Sequence, residues 1–331
     1  MTLAEKGDRH SHAFFSMAKL GAACVAVLLG ASIAQAAPRP SCAMTHLADV
    51  PLRNDMGFLS TPGTIHGHTA SFIVDTGSQG SLLSPWFARF LQLSADSGAQ
   101  THVSGTGGSG GIVPNVIVPQ LRLGDLSFGP LSMPLGILPS RPNIHPPIEG
   151  LLGGDVVGQD VLEFDAPDGR LGFWMSSARE SAACDLAPPA VKGLRWQEIR
   201  GEMQAHRILL HVQLDGHELV ALLDSGARSR IISRRAAEAI GVTESDLATD
   251  PGGTSTGVDG RESVYRWHRF HTLTIGGETE TNPVLTVAPI AEPVDMLLGS
   301  DWFATHRVWV FYRQGRIFAA RVQPTGKHSG G

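Results

Sequence analysis

The stretch FIVDTGS at residues 72–78 decides the fold, because it recurs as ALLDSGA at residues 221–227. Each copy is an apolar run that leads into an aspartate, a hydroxyl residue and a glycine. A short apolar run of this kind favours a buried strand, and glycine lets the chain turn tightly behind it. The sequence therefore predicts two buried strands that deliver Asp75 and Asp224 to equivalent turns.

The recurrence extends in the same order along both halves of the chain, which indicates an internal duplication. Serine before a helix-forming segment marks a helix start, and alternating apolar residues before a glycine mark a strand that enters a turn. The recurring elements are a glycine eight residues before the aspartate (Gly67, Gly216), a short helix after a serine N-cap (85–93 after Ser84, 234–240 after Ser233), a strand entering a turn (121–124, 273–276), a Leu-Leu-Gly segment (151–153, 297–299) and a closing hairpin (161–174, 308–319).

Length and composition fit a mostly β protein with two similar lobes. The chain has 331 residues and is 42% hydrophobic, which is enough to bury two cores. Its 39 glycines and 21 prolines favour many short strands joined by turns. We expect two lobes of about six or seven strands each, with short helices, related by a pseudo-twofold axis. The predicted lobes cover 37–180 and 181–323, followed by a flexible tail over 324–331.

Charge and histidine spacing exclude several kinds of partner. The formal net charge is -5 with 26 Lys and Arg residues, and no basic run stands outside 228–235. Proteins that bind nucleic acid or anionic membranes carry a basic patch, so we expect neither partner. His66, His68, His268 and His271 have no carboxylate or cysteine at ligand spacing, so we expect no metal site.

The N-terminus predicts export. Lys19 precedes an apolar run over 20–34, and small residues at 34–36 fit a cleavage site. This pattern is typical of a signal peptide, here over 1–36, with Met17 as an alternative start. The apolar run has about fifteen residues and falls short of the roughly 20 needed to span a bilayer, so we expect no stable membrane insertion. The predicted location is periplasmic or secreted.

Two cysteines, Cys42 and Cys184, remain after removal of such a signal peptide. An exported protein works in an oxidising compartment, where a cysteine pair favours a disulfide. The predicted bond would tie the first strand to the junction between the halves. Two unrelated buried thiols remain the alternative, because spacing alone cannot show proximity.

A pair of aspartates at equivalent turns predicts acid–base chemistry. If a pseudo-twofold axis brings Asp75 and Asp224 together, their like charges prevent both from ionising easily, and they share one proton. The ionised member can then deprotonate a water while the protonated member donates to a carbonyl oxygen. The alternative for each aspartate alone is a turn residue that caps its own backbone. Two copies in equivalent repeat positions favour the catalytic interpretation.

Other recurring or motif-like residues are interpreted structurally. Asp155 and Asp301 also recur, each two residues after the glycine of its Leu-Leu-Gly segment and at the start of a short helical turn, so we interpret them as N-caps. The Gly-rich stretches 105–111 and 252–257 are interpreted as strandless. The first matches nucleotide-binding and nucleophile-elbow patterns, but residues 112–119 are β-branched and contain prolines, so the helix that both motifs require is absent.

The two Asp-Thr/Ser-Gly turns and the segments that end at Gly153 and Gly299 resemble the aspartic peptidase superfamily over nearly all of residues 60–320. The halves are short, and their Gly-rich stretches resemble the flaps of retropepsin-like domains. The chain is therefore similar to two retropepsin-like domains duplicated in one chain, in a pepsin-like bilobal arrangement. This resemblance implies two β-barrel lobes and an aspartic-type endopeptidase without a cofactor.

The resemblance also implies a role for each residue that matches the family's motifs. The Thr and Ser beside the aspartates would form a hydrogen-bonded brace between the lobes, and a Gly-rich flap would cover the substrate. Tyr265 is interpreted as a strand residue that packs on its lobe. The implied site consists of the catalytic Asp75 and Asp224, the brace and loop residues Thr76, Gly77, Ser78, Ser225 and Gly226, the loop supports Gly153 and Gly299, and the flap residues Thr106, Gly107 and Gly108.

The predicted function is cleavage of extended peptides by an exported monomer. Two alternatives stay open: a non-catalytic protein of the same fold that binds a peptide or partner chain, and a processing protease that cuts one envelope protein. The presence of both aspartates argues against the first. For the predicted flap, the alternative is a flexible surface loop, although long Gly-rich loops are more often functional.

Overall fold

A computed structural model describes residues 41–105, 108–138, 144–159, 161–179, 184–256 and 262–322. The predicted signal peptide, the predicted tail and the flap residues Thr106 and Gly107 lie outside the described residues. Arg39–Gly331 forms one compact unit. The boundary between residues 180 and 181 stays a prediction.

The first half of the chain consists mainly of short strands. Its helices are α1 (Pro85–Phe90) and α2 (Gly154–Val157). Its strands are β1 (Met44–Pro51), β2 (Arg53–Asp55), β3 (Phe58–Ile65), β4 (His68–Val74), β5 (Leu82–Leu83), β6 (Ala95–Gly105), β7 (Gly108–Val118), β8 (Leu121–Leu123), β9 (Leu126–Phe128), β10 (Leu131–Pro134), β11 (Ile148–Leu152), β12 (Val161–Asp165) and β13 (Arg170–Ser176).

The second half follows the same plan, so the predicted mostly β class is confirmed. Its helices are α3 (Arg234–Ala239), α4 (Glu244–Thr249) and α5 (Ser300–Phe303), and one-turn 3-10 helices lie at Ser177–Arg179 and Tyr312–Gln314. Its strands are β14 (Gln197–Gln204), β15 (Arg207–Leu214), β16 (His217–Leu223), β17 (Ile231–Ser233), β18 (Gly252–Thr256), β19 (Glu262–Arg269), β20 (Thr272–Ile275), β21 (Glu278–Thr281), β22 (Val284–Ala288), β23 (Met296–Leu298), β24 (His306–Phe311) and β25 (Arg316–Arg321).

Serine caps start the two helices that follow the aspartate turns. Ser84 and Ser233 each accept a hydrogen bond from the backbone N–H three residues on, at 3.0 and 3.1 Å, as the N-cap prediction requires. Both α1 and α3 end before the predicted residues, because the chain leaves the helical conformation at Gln92 (φ 52°) and Gly241 (φ 99°). None of the described helices is long and apolar enough to cross a membrane.

The strand before each aspartate pairs in parallel with the strand of the Leu-Leu-Gly segment. β4 lies beside β11 in the first half, and β16 lies beside β23 in the second. The backbone N–H of Asp75 donates to the carbonyl of Leu152 at 2.9 Å, and that of Asp224 donates to Leu298 at 3.0 Å. Phe72, Val74, Ala221 and Leu223 are fully buried. Each aspartate therefore stands at the end of a buried parallel pair.

The two closing hairpins pair with each other across the halves. β12–β13 and β24–β25 form antiparallel hairpins as predicted, and β12 lies beside β24 with Val161 opposite Phe311. β1 extends this sheet beside β13, and β14 extends it beside β25. We call these six described strands the interlobe sheet; they form one continuous sheet in the order β1-β13-β12-β24-β25-β14. Because each half contributes to it, the duplicated halves are not independent sets of strands.

The remaining described strands form the body of each half. In the first half, β2, β3, β4, β5, β8, β9 and β11 form one sheet, and β6, β7 and β10 form a second, smaller one. In the second half, β15 pairs with β14, so the strands of this half continue the interlobe sheet. The edge strands β6 and β18 each end a sheet.

The predicted disulfide joins Cys42 and Cys184, whose Cα atoms lie 4.9 Å apart. Cys42 lies two residues before β1, and its backbone N–H also donates to the carbonyl of Asp185 at 2.9 Å. Both sulfurs belong to an apolar cluster that includes Trp309 and Phe311 of the interlobe sheet. The bond therefore fastens the segment that joins the halves to the start of this sheet.

A charged network lies on the interlobe sheet. Glu163 on β12 is fully buried and contacts two guanidinium groups, that of Arg170 at 2.8 Å and that of Arg307 from the other half. Asp165 accepts from the same two arginines at 3.1 and 3.2 Å. Trp174 donates its indole N–H to Glu163 at 3.0 Å. Because buried charges need partners, this network fixes the two hairpins in one register.

Glu163→Gln should lower the free energy of unfolding by about 1.5–3 kcal/mol, because it removes one of the two buried carboxylates, Glu163 and Asp165, that neutralise the two arginines. Chemical denaturation at constant disulfide state measures the change. The matched control is Arg200→Gln, since the Arg200 side chain is 83% exposed in its ion pair with Glu198. The control should change stability by no more than about 0.5 kcal/mol. Equal effects of both substitutions would show that the network does not hold the sheet.

Candidate active site

The structure brings Asp75 and Asp224 together at the ends of β4 and β16. A Cβ atom added to Gly77 would lie 2.5 Å from Cγ of Asp224, and one added to Gly226 would overlap the carboxyl group of Asp75. Each glycine of the two turns therefore lies directly against the carboxyl group of the other half. Any other residue at either position would push the carboxyl groups apart, which explains why glycine follows the hydroxyl residue in both copies.

Backbone N–H groups hold each carboxyl group in its turn. The N–H of Gly77 donates to Oδ1 of Asp75 at 2.9 Å, and that of Ala227 donates to Oδ1 of Asp224 at 2.9 Å. Ser78, a predicted loop residue, donates its hydroxyl to the carbonyl of Gly80 at 2.7 Å. Each turn thus holds one oxygen of its carboxyl group with a backbone donor.

Burial and proximity raise the pKa of both aspartates. Burial raises the pKa of Asp75 to about 6, and backbone donors and the charge of Arg207 oppose this rise. Burial, and then the negative charge of Asp75, raise the pKa of Asp224 well above its ordinary value. Because two carboxyl groups in contact cannot both ionise easily, the pair holds one proton above about pH 6 and two below it.

Thr76 and Ser225 form a symmetric brace between the two turns. The Thr76 hydroxyl donates to the carbonyl of Leu223 at 2.7 Å and accepts from the N–H of Ser225 at 3.0 Å. The Ser225 hydroxyl donates to the carbonyl of Val74 at 2.6 Å and accepts from the N–H of Thr76 at 3.0 Å. Both hydroxyl residues are buried. Only a hydroxyl group both donates and accepts here, so the brace requires Thr or Ser.

Gly153 and Gly299 lie directly behind the two turns. A Cβ atom at Gly153 would approach the carbonyl of Gly80 to 2.5 Å, and one at Gly299 would overlap the carbonyl of Ser229. The next backbone N–H groups donate to the turns themselves: Gly154 to Ser78 at 2.9 Å, and Ser300 to Ala227 at 2.8 Å. These contacts place both predicted support residues against the aspartate turns.

The N-cap prediction for Asp155 and Asp301 is wrong. The helices α2 and α5 have Gly153 and Gly299 as their N-caps, because the extended residue before the first turn is the glycine. Asp155 lies within the first turn and accepts the Ser81 hydroxyl at 2.6 Å, whereas Asp301 accepts from Arg230 at 3.0 Å. Each of these aspartates therefore binds the segment that follows the Asp75 or Asp224 turn of its own half.

The Gly-rich stretches form strand hairpins, so the strandless interpretation is wrong. β6 and β7 pair from Ala95 to Val116, and Gly105 lies opposite Gly108 at the tip. Glycine weakens a strand but can adopt the conformation that a tight reversal needs, as Gly108 does with φ 128°. Of the predicted flap residues, Gly108 therefore lies at the start of β7. The two residues between Gly105 and Gly108 lie outside the described residues.

A cleft of about 1100 Å³ lies above the aspartates. Residues Thr101 to Gly105 of the first hairpin line it, and Tyr265 and Trp267 of the second hairpin, β18–β19, line it from the other half. Tyr265 is a strand residue of β19, as predicted, and its ring lies against Trp267 of the same strand, 5.4 Å between ring centres, while it also lines the cleft. Two hairpins, one from each half, enclose the aspartate pair.

Sequence reasoning missed four further residues of the cleft: Phe58, Arg207, Arg228 and Glu292. The duplication itself carries a signal for Arg207, which lies 149 residues after Phe58, the interval that separates Asp75 from Asp224. Alignment of the two halves would have placed both residues at equivalent positions of the site. The same interval places Arg228 opposite Gln79, directly after the repeated turn, and both residues line the cleft. Within the described part of the chain, no group of three His, Cys, Asp or Glu residues could hold a metal ion.

Comparisons with known proteins agree with this geometry. A family model described as aspartyl protease matches residues 61–156 and 210–302, one match in each half. The crystal structure of aspartic proteinase from Irpex lacteus is similar, with a TM-score of 0.51 and 15% sequence identity over 87% of this chain and 100% of that chain. At this identity the structural likeness concerns the fold. A search of curated proteins finds no match.

Ser225→Ala should lower the free energy of unfolding by about 2–4 kcal/mol, because it leaves the Val74 carbonyl and the Thr76 N–H buried without a partner. Thermal or chemical denaturation measures the loss. Ser245→Ala, at an exposed position, is the matched control and should change stability by less than about 0.5 kcal/mol. A Ser225→Ala protein as stable as the control would contradict the brace.

Proposed function

The chain belongs to the aspartyl protease family, and we propose that it is an exported endopeptidase whose catalytic residues are Asp75 and Asp224. The observation that carries this proposal is the contact between the Asp75 and Asp224 carboxyl groups at the floor of an open cleft. The glycine of each turn lies against the carboxyl group of the other half and leaves room for this contact. Such a pair supplies a base and an acid at once.

The proposed reaction is hydrolysis by an activated water. The ionised carboxylate takes a proton from a water held between the aspartates, and the water oxygen attacks the carbonyl carbon of the peptide bond. The protonated carboxyl group donates its proton to the carbonyl oxygen. When the tetrahedral intermediate collapses, the C–N bond breaks and the leaving nitrogen takes the proton that the base had removed from the water. A hydroxyl group of the intermediate returns its proton to the other carboxylate, which restores the starting protonation of the pair. The two carboxyl groups perform every proton transfer, so the reaction needs no cofactor.

The shape of the cleft favours an extended peptide as substrate. The edge strands β6 and β18 both line the cleft, at Thr101 to Gly105 and at Thr254. Edge strands present unpaired backbone groups, with which an extended chain can pair. The aromatic side chains of Phe58, Tyr265 and Trp267 add apolar contact area for substrate side chains. The proposed enzyme acts as a monomer, since both halves of the site come from one chain.

Export is the second part of the proposal. It rests on the signal-peptide pattern of residues 1–36 and on the disulfide between Cys42 and Cys184. Disulfides persist in oxidising compartments and are rare in the reducing cytosol. The proposed location is therefore the periplasm or the exterior.

Asp75→Asn and Asp224→Asn should each reduce kcat/KM at least about 10³-fold, because either change removes one of the two proton-transferring groups. Cleavage of a diverse peptide library by the chain from Ala37, from pH 3 to 8, measures the loss. Asp125→Asn, an exposed turn residue, is the matched control and should retain full activity. A folded wild-type chain that cleaves no peptide at any pH would instead favour a binding protein or a processing protease for one partner.

The pH profile should follow the shared proton. Below about pH 6, both carboxyl groups are protonated and no base is present, so kcat/KM should fall about tenfold per pH unit as the pH decreases. Above about pH 6, one carboxylate is ionised and activity should reach a plateau until Asp224 also loses its proton. Initial rates at low substrate concentration give this profile. An optimum near pH 3 would contradict the proposed protonation states.

A further inference from the structure

Arg207 reaches the Asp75 turn from the other half of the chain. It follows the tight turn of Ala205 and His206, both with positive φ, at the start of β15. A Cβ atom added to Gly154 would overlap the carbonyl of His206, so this turn packs against the segment that supports Asp75. Arg207 lines the cleft together with the aspartates.

The guanidinium group of Arg207 is held in place and largely removed from water. The residue is only 8% exposed, and its Nη1 donates to Oε2 of Glu292 at 3.1 Å. Its Nε is buried and has no hydrogen-bond partner among the described residues. Because water screens a buried charge poorly, this cation acts on nearby carboxyl groups more strongly than an exposed arginine would.

The equivalent position of the first half carries no charge. Phe58 lies 149 residues before Arg207 and lines the same cleft, so the duplication places a phenyl ring where its counterpart is a cation. Arg228 lies on this side of the cleft with its guanidinium carbon 5.4 Å from the centre of the Phe58 ring. Its Nε donates to the carbonyl of Met56 at 2.8 Å. The charged surroundings of the aspartate pair are therefore asymmetric although the backbone is nearly symmetric.

We propose that Arg207 is a positioning residue that keeps Asp75 ionised as the base and leaves the shared proton on Asp224 as the acid. This inference rests on the proposed peptidase function and assigns the two roles within it. The charge of Arg207 lowers the pKa of Asp75 against the effect of burial, which agrees with the geometry.

Among the described residues, no second buried cation acts on Asp75. The ionisable groups that act on Asp75 or are acted on by it are Asp224, Arg207 and the buried Tyr312. Tyr312 is neutral at working pH, since burial raises the pKa of its hydroxyl above the ordinary value. The cleft also contains Glu292, Asp155, Arg228 and His102. Glu292 is paired with Arg207, and Asp155 accepts the hydroxyl of Ser81.

Arg207→Met should move the acid limb of the kcat/KM profile to higher pH by about one unit, because Asp75 loses its stabilising cation. This shift corresponds to about a tenfold loss of kcat/KM at a pH on the acid limb. Arg207→Lys keeps the charge and should restore most of the wild-type profile. The matched control is Arg228→Met, which removes the same charge from the same cleft and should leave the acid limb in place.

A second pair of variants separates the charge of Arg207 from its contact with Glu292. Arg207→Met combined with Glu292→Gln leaves no unpaired buried carboxylate and should still shift the acid limb to higher pH, but by less than Arg207→Met alone, because it also removes the negative charge of Glu292. Glu292→Gln alone keeps a hydrogen-bond acceptor for Arg207 and removes its counter-charge, so the acid limb should move to lower pH. An unchanged limb in every Arg207 variant, or an equal shift in Arg228→Met, would overturn the inference.

A direct titration tests the inference without any cleavage. In protein labelled with ¹³C at the aspartate carboxyl carbons, the signal that disappears in Asp75→Asn belongs to Asp75, and its midpoint should rise in Arg207→Met. If wild-type protein cleaves nothing but this midpoint rises, the proposed function fails while the role of Arg207 stands. If Asp224 ionises before Asp75 in the wild type, the assignment of base and acid is wrong.

Discussion

Contact between two buried carboxyl groups is the constraint on which the rest of this structure depends. Removal of a carboxylate from water is costly, and a second carboxylate beside it increases the cost. The fold meets this cost with a backbone N–H donor to Oδ1 of each carboxyl group. It also provides the brace, in which the hydroxyl groups and backbone N–H groups of Thr76 and Ser225 all have partners. Positions 77 and 226 must be glycine, because a Cβ atom at either position would overlap the carboxyl group of the aspartate in the other half.

Such a contact between halves can persist only if the halves cannot move apart. The interlobe sheet provides this restraint, since its central pair β12–β24 joins one strand from each half by backbone hydrogen bonds. The buried Glu163 also fixes the register of these strands, because it binds Arg170 of its own half and Arg307 of the other. The disulfide of Cys42 fastens the outer strand of the same sheet. Backbone hydrogen bonds, ion pairs and the disulfide therefore all stabilise the interlobe sheet.

The sequence predicted the elements that occur in both halves, but it could not predict the strand pairing that joins the two halves. Asp75 and Asp224, the serine caps and the closing hairpins follow from local patterns that occur twice, so the mostly β duplicated fold was predictable. Pairing between β12 and β24 has no local signal, because both hairpins satisfy the same strand pattern whether they pair internally or with each other. The hairpin of β6 and β7 was missed for a different reason: dense glycine predicts a loop, although a two-stranded ribbon tolerates glycine at its tip.

Duplication makes the site symmetric, whereas hydrolysis needs one base and one acid. The brace and the glycines stay nearly identical in both halves because each of these residues contacts the equivalent turn of the other half. Residues that line the cleft but do not contact the opposite turn can differ between the halves. Phe58 and Arg207 occupy equivalent positions and differ by a full charge, which is the smallest change that can tell two identical carboxyl groups apart. The structure is thus symmetric where the two turns contact each other and asymmetric at Phe58 and Arg207, where the proposed proton transfer requires two different carboxyl groups.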